Sequence, residues 1–425
     1  MQKEKIVIVG GGFAGLNLVK RLDKRKFDVT LVDRNNFHSF PPLFYQIASS
    51  GLDPGSISFP FRREMRKGKV KGARFHLGEV KSIDVARKEI HTQFETLQYD
   101  KLVIAAGTTN NFFGNPELIK HVYTIKTASE AMRCRDEILD RLERASLTHD
   151  REMKRKLLSF VVIGGGPTGV EVAGALGEMK RDIISREYPD IDPEDVSITL
   201  LEGQDRVLGT MSDLASRKAL EYLKRLMVDV KVSHLMKSFE DNIVTLDDGT
   251  RMYSGMVIWT AGVTGINFEI TGGEITPARG NRFEVDRTNL VKGTDDIYAL
   301  GDIALMTYDA YPHGCPQLAQ VAIQQAKLLA ANLNKGKKDE FTYKDKGSMA
   351  TVGRNLAVAD LNHVHLTGFM AWLTWMFIHL ISILGMRNKV TVLINWIWAY
   401  CTYNTSLRLL IHTTRYPLRS RWGEK

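Results

Sequence analysis

The chain has 425 residues, 44% hydrophobic and 25% charged, an ordinary globular composition with room for two or three domains. Its formal net charge of +9 suits an anionic partner, and does not by itself choose among dinucleotide, nucleic acid and acidic bilayer. Three cysteines without a CxxC spacing, Cys134, Cys315 and Cys401, exclude a disulfide framework and a zinc knuckle and make a reducing compartment the default.

The N-terminus runs straight into Ile6-Val7-Ile8-Val9 and stops at glycine before a signal-peptide core would be complete, so the protein is expected to stay where it is made. That run, the turn Gly10 to Gly15, and Leu16, Leu18, Val19 and Leu22 predict strand, tight turn and helix. A second apolar run, Val29 to Val32, ends in Asp33, 18 residues after Gly15. In this GxGxxG pattern Gly10 permits the turn, Gly12 lets backbone reach a pyrophosphate, and Gly15 lets helix and strand approach closely. The helix N-terminus faces the phosphates, and Asp33 is placed to accept hydrogen bonds from ribose hydroxyls.

Further along, Leu102 to Gly107 is a strand ending in Ala105-Ala106-Gly107, and Ser129 to Lys156, dense in both charge signs, reads as a solvated helix and connector. The fingerprint then repeats: Phe160 to Ile163 leads into Gly164, Gly166 and Gly169, and Ser197 to Leu201 ends in Glu202. Two dinucleotides are therefore expected. Glu202 favours NADH over NADPH because a carboxylate repels a 2′-phosphate, with Arg206 nearby pulling the other way. Glu171 is expected in the first turn of the second fingerprint helix.

Asp296 to Asp302 is another strand ending in small residues, and Ala319-Gln320-Val321-Ala322-Ile323-Gln324 follows, with Gln320 and Gln324 one helical turn apart on one face. Beyond a Lys-rich stretch the composition changes. Phe369 to Met386 carries no charge, and Val390 to Ile411 is again apolar, with Trp372, Trp375, Trp396, Trp398, Tyr400 and Tyr403. From Leu366 onward Arg387, Lys389, Arg408, Arg415, Arg419, Arg421 and Lys425 face one acid, Glu424. Aromatic rings and cations beside apolar stretches suit a bilayer interface. A two-helix transmembrane hairpin and a buried dimer interface are the rival readings, with His379, Asn395 and Asn404 counting against the hairpin.

The order of GxGxxG, AAG, the second GxGxxG, WTAG at Trp259 to Gly262 and YALGD at Tyr298 to Asp302 resembles the two-dinucleotide disulfide-reductase superfamily of flavoproteins over residues 5–335. No cysteine precedes Cys134, which excludes the dithiol chemistry of some members. Asn36 to Gln46 is similar to the HxFxPLLYQ segment of type II NADH:quinone oxidoreductases, with Pro41 departing from the commoner glutamine. Ala319 to Gln324 resembles the AQxAxQ motif with which that family lines its quinone site, and the tail resembles its membrane anchor.

The resemblance implies an α/β fold of two Rossmann-type domains with a C-terminal helical membrane-associating tail. It divides the chain into an FAD-binding part (1–125), a connector helix (126–157), an NADH-binding domain (158–275), a second FAD-binding part (276–335) and a membrane-anchoring region (336–425). FAD would be held by Gly10, Gly12, Phe13, Ala14, Gly15, Asp33, Arg34, Val80, Ala106, Gly107, Asp302 and Ala319. NADH would be held by Gly164, Gly166, Gly169, Glu202 and Gly262. Glu171, Gln320 and Gln324 would be catalytic, Glu171 in proton supply or cofactor geometry and the glutamines as donors to quinone oxygens.

The implied reaction passes hydride from NADH to FAD and two electrons on to a membrane quinone, without proton pumping, metal or nucleic acid. The expected location is monotopic on a membrane facing the cytoplasm, with a homodimer left open. Sulfide:quinone oxidoreductase, kept alive by Cys134 and Cys315, and an NADH-responsive scaffold are the alternatives.

Overall fold

The computed structural model describes residues 3–66, 68–362, 364–402 and 407–410. Tyr403, Asn404, Arg415, Arg419, Arg421, Glu424 and Lys425, on which part of the tail reading rests, lie outside the described residues. The chain divides into two compact units, the first formed by residues 1–40, 58–114 and 262–347, the second by 41–57, 115–261 and 348–425.

The first unit is built on a five-stranded parallel sheet in the order 297–299, 101–104, 4–9, 27–33, 74–77. Its central strand is β-branched at Ile6, Val7, Ile8 and Val9, all buried, as a strand covered on both faces must be. Burying Ile6 and Ile8 completely stabilises the unit by about 2 kcal/mol each. An antiparallel sheet is added by strands 80–84, 89–92 and 96–98. The expected return of the chain at residue 276 comes earlier: Val263–Gly265 pairs antiparallel with Thr108–Asn110, and Glu269–Thr271 pairs with Ser82 to Asp84.

The second unit repeats the plan with a parallel sheet in the order 123–124, 256–259, 159–163, 197–201, 229–231. The connector region is two helices of this unit, Ala128–Leu147 and Arg151–Leu157. The longer one starts on a capping box of Thr127 and Glu130 and buries a face through Ala131, Cys134, Ile138, Leu142 and Ala145. It is therefore less solvated than its charge density implies. After the Lys-rich stretch an antiparallel hairpin sheet, 348–353, 356–361 and 364–367, carries the tail helix Gly368–Ser382, and the helix Met386–Thr402 packs on that helix and on Pro54–Ser56.

Candidate active site

Each fingerprint is a tight turn that only glycine permits. Gly10 has φ +100°, and a Cβ at Gly15 would lie 1.9 Å from the Gly10 carbonyl oxygen; Gly164 has φ +106°, and a Cβ at Gly169 would lie 1.8 Å from the Gly164 oxygen. Gly12 and Gly166, by contrast, have nothing within 4 Å on their Cβ side, which leaves the approach open where a pyrophosphate would sit. The strand-end acids occupy matching positions. Asp33 Oδ2 accepts from the Gly11 N–H at 2.7 Å, and Glu202 accepts from the Gly165 N–H and, through Oε1, from the Gln204 N–H at 2.7 Å.

Both fingerprint helices, Phe13–Arg21 and Pro167–Glu178, lack a side-chain cap, whereas Thr127, Asp150 and Ser212 cap three other helices of the chain. Uncapped N–H groups at a helix start are what a phosphate satisfies, so both turns fit a dinucleotide. Arg206, which pulled against NADH, is paired with Asp213 and with the Gly209 carbonyl at 3.0 Å.

Around the first fingerprint, Arg34 is exposed beside Asp33, Val80 is buried at the start of its strand, and Ala106 and Gly107 follow the strand Lys101–Ile104. Burial raises the Asp33 carboxyl, partly offset by the Asn35 and Gly11 amides. Asp302 lies in the turn Gly301–Ile303, its Oδ2 accepting from Thr108 Oγ1 at 3.4 Å. Ala319 opens the helix Ala319–Lys335, which also has no side-chain cap. Gly262 belongs to the first unit, where a Cβ would strike the Phe113 ring at 2.5 Å.

Two residues here escape sequence reasoning. Buried His38 donates from Nδ1 to the Gly11 carbonyl at 2.8 Å, and burial pushes its pKa down to about 4, so it props the turn as a neutral imidazole. Buried Gln325 accepts from the Gly301 N–H at 2.7 Å, while its Nε2 has no protein partner. Neither the polar surroundings of His38, Asn36-Phe37-His38-Ser39, nor the Gln324-Gln325 pair signals burial in the sequence.

Gln320 and Gln324 do share a face, and both amides reach the segment 344–347. Gln320 Nε2 donates to the Gly347 carbonyl at 3.1 Å and its oxygen accepts from the Lys346 N–H at 3.1 Å. Gln324 exchanges a matching pair with Lys344, at 2.9 and 3.1 Å. A carboxamide has two N–H donors, so Gln324 keeps one beyond its bond to Lys344.

Glu171 is the fifth residue of its helix, just past the first turn, and is only 8% exposed. The helix presses against strand Ser348–Gly353 so closely that a Cβ at Gly174 would lie 1.8 Å from the Val352 oxygen. Burial drives the Glu171 carboxyl well above its ordinary value. The Thr351 amide and the Trp375 indole, the latter too poorly placed for a full hydrogen bond, only partly offset it. Glu171 lines a cavity of about 180 Å³ in the second unit with Tyr45, Glu178, Trp375, Trp396 and Tyr400. Gln46 links two of these, donating to the Tyr45 hydroxyl at 2.8 Å and accepting from Trp396 Nε1 at 2.9 Å.

The tail helices wear their apolar residues outward. Met370, Leu373, Phe377 and Ile381 on one, and Val390, Leu393, Ile394 and Ile397 on the other, are exposed, while Ala371, Trp375, Val392 and Trp396 face inward. Trp375 and Trp396 are thus core residues rather than interfacial rings. Arg408, counted among the lipid-facing cations, is paired with Glu187. No helix among the described residues is long and apolar enough to cross a membrane. Cys134 and Cys315 are buried, and burial raises both thiols, which opposes thiolate formation.

Paired fingerprints on two parallel sheets define a two-dinucleotide oxidoreductase, and the comparisons agree. Residues 4–326 match the model of the pyridine nucleotide-disulphide oxidoreductases, and residues 346–402 match the NDH2 C-terminal domain. The chain belongs to this family and, within it, to the type II NADH:quinone oxidoreductases. It is 33% identical over 418 residues to a type II NADH:quinone oxidoreductase of Mycobacterium tuberculosis, covering 93% of this chain and 88% of that protein. It is 32% identical over 431 residues to a mitochondrial internal alternative NAD(P)H-ubiquinone oxidoreductase of Solanum tuberosum, covering 93% and 86%. In fold it is similar to NDH2 from Plasmodium falciparum in complex with NADH, with a TM-score of 0.89 at 23% identity over 97% of this chain and all of that one. It is less similar to a sulfide:quinone oxidoreductase of Aquifex aeolicus, with a TM-score of 0.70 at 18% identity over 96% of each chain.

Proposed function

We propose that this FAD-dependent NADH:quinone oxidoreductase holds FAD on the first fingerprint and NADH on the second, and works against one leaflet of a membrane. The observation that carries the reading is the repeated pairing of a strand-end acid with the amide that follows the first fingerprint glycine, Asp33 with Gly11 and Glu202 with Gly165, each beside an uncapped helix. Around FAD we assign Gly10, Gly12, Phe13, Ala14, Gly15, Asp33, Arg34, Val80, Ala106, Gly107, Asp302 and Ala319. Around NADH we assign Gly164, Gly166, Gly169, Glu202 and, from its backbone turn, Gly262.

FAD, when bound, supplies the two-electron step between nicotinamide and quinone. The reaction is NADH + H⁺ + quinone → NAD⁺ + quinol. Gln324 offers its second N–H to a quinone oxygen, Gln320 holds the neighbouring segment, and Glu171, kept protonated by burial, supplies the proton that the hydride does not carry. Outward Phe377, Ile381, Ile394 and Ile397 support a tail that dips into the bilayer without crossing it, which meets a quinone dissolved there. We also assign this surface to the cytoplasmic side of the membrane.

A flavin spectrum recorded before NADH, after anaerobic NADH and after added quinone tests the reading: bleaching by NADH and recovery with quinone are expected. Persistent oxidised flavin under NADH rejects it. Sulfide-dependent quinone reduction that disappears when Cys134 and Cys315 are both replaced by alanine would favour the sulfide reading instead.

A further inference from the structure

Forming quinol from NADH consumes one proton that must be drawn from solvent at every turnover, and the buried position of Glu171 raises the question of how it is recharged. The answer we infer rests on the reading above. Glu171 and Glu178 are seven residues apart, two turns along one helix, so their side chains leave the same face about 10 Å apart along the axis. Both line the 180 Å³ cavity, and so does Asp182 on the π-helical turn Met179–Ile184 that follows. Glu171 is the inner member. Glu178 retains partial exposure, and the Asp182 carboxylate, 18% exposed, is paired with Arg181 at 2.7 Å at the outer end.

Tyr45 lines the same cavity as both glutamates. Its hydroxyl accepts its hydrogen bond from Gln46, so that bond leaves its own proton to be donated. Gln46 is itself held by the Trp396 indole at 2.9 Å, which fixes the orientation of the amide and hence the direction of the chain. Glu178 accepts from the Arg354 backbone N–H, and the Arg354 guanidinium is spent on the Ala399 carbonyl at 2.7 Å and the Tyr400 carbonyl at 3.1 Å. Arg181, Arg354 and Asp182 are the charged groups that act on Glu178, while Arg408 on the same cavity is committed to Glu187. A cavity of this size has room for several waters, with Tyr45, Glu171, Glu178 and Asp182 as their polar partners.

We propose that Glu178 and the Tyr45 hydroxyl, joined by water in this cavity, form a proton relay that carries protons from the Asp182 end to Glu171. One proton enters at the Asp182 end for each one Glu171 releases, and no electron moves through the relay. These are positioning and relay residues, since neither is assigned contact with substrate.

The test reads Glu171 itself in the full FAD-loaded protein. Its protonated carbonyl gives an infrared band, assigned by its loss in Glu171→Gln, and the band shifts when the proton exchanges after transfer into D₂O. Glu178→Gln keeps an oxygen for the Arg354 N–H but cannot carry a proton, and Tyr45→Phe removes the hydroxyl alone. Each should slow the shift at least about tenfold, and Glu178→Asp, which still ionises, should restore most of it. Wild-type exchange in both Glu178→Gln and Tyr45→Phe overturns the relay, as does slow exchange in Glu178→Asp equal to that in Glu178→Gln, which would make the effect structural. Failure to reduce quinone would defeat the functional reading but leave this exchange measurable, so the two can fail separately.

Discussion

Asp33 accepts the Gly11 backbone N–H at 2.7 Å, and the same arrangement holds Glu202 to Gly165 in the second unit. Each acid braces a glycine turn with one oxygen and keeps lone pairs for a ribose. Removing the second acid should therefore do two things at once, loosening the turn and lifting the repulsion of a 2′-phosphate.

NADH is expected to be the better reductant in the unmutated protein. Glu202→Ala should lower kcat/KM for NADH by about tenfold, the loss of one hydrogen bond to a charged group, and raise the relative value for NADPH. Steady-state kinetics with both cofactors checks this, and equal kcat/KM values in the unmutated protein would defeat the assignment.

Gln320→Ala with Gln324→Ala should slow flavin reoxidation by quinone while anaerobic reduction by NADH stays near its normal rate. Because the two amides also make four hydrogen bonds to Lys344, Lys346 and Gly347, the double variant should melt a few degrees lower. Stopped-flow traces of each half-reaction separate the effects. Equal slowing of both halves would mean that the pair only braces the segment.

Glu171 makes stability depend on pH with a definite sign. Its folded pKa lies above the ordinary carboxylate value of 4.5, so the stabilisation is complete below that value and is lost as pH rises through the folded pKa. His38 and His379 act oppositely: burial lowers both to about 4, so they cost nothing above pH 6.5 and oppose folding as pH falls toward 4. Glu171→Gln should flatten the decline in melting temperature that sets in above pH 4.5, and should leave the loss that the histidines cause below pH 6.5. An unchanged decline above pH 4.5 would show that Glu171 is ionised in the folded state.

Deleting the chain from Leu366 onward is a poor probe of the tail, because Trp375 and Trp396 belong to the core of the second unit. Surface substitutions are cleaner. Phe377→Glu, Ile381→Glu, Ile394→Glu and Ile397→Glu alter only outward positions, each worth about 1.5–3 kcal/mol if buried in lipid. The fourfold variant should keep FAD and NADH reduction, stop floating with anionic vesicles, and retain activity with a short-chain quinone better than with a long-tailed one. Continued flotation would place the membrane contact elsewhere.

The fingerprints were legible in the sequence because a glycine turn, a helix start and a strand-end acid interact within about 35 residues, and local sterics allow few other residues there. The tail was legible as interfacial from composition, but not the direction of its rings: packing on the hairpin sheet turned Trp375 inward, packing beside Gln46 turned Trp396 inward, and Phe377 and Ile394 were left outside. Tertiary structure likewise decided what surrounds Glu171. Tyr45 lies 126 residues before Glu171, and Thr351 and Trp375 lie 180 and 204 residues after it, so no periodicity links them to it; they meet because Gly174 lets the helix lie against Val352. The glutamines show the same division, since spacing put Gln320 and Gln324 on one face, while the fold of residues 344–347 determined which of their hydrogen bonds were already made.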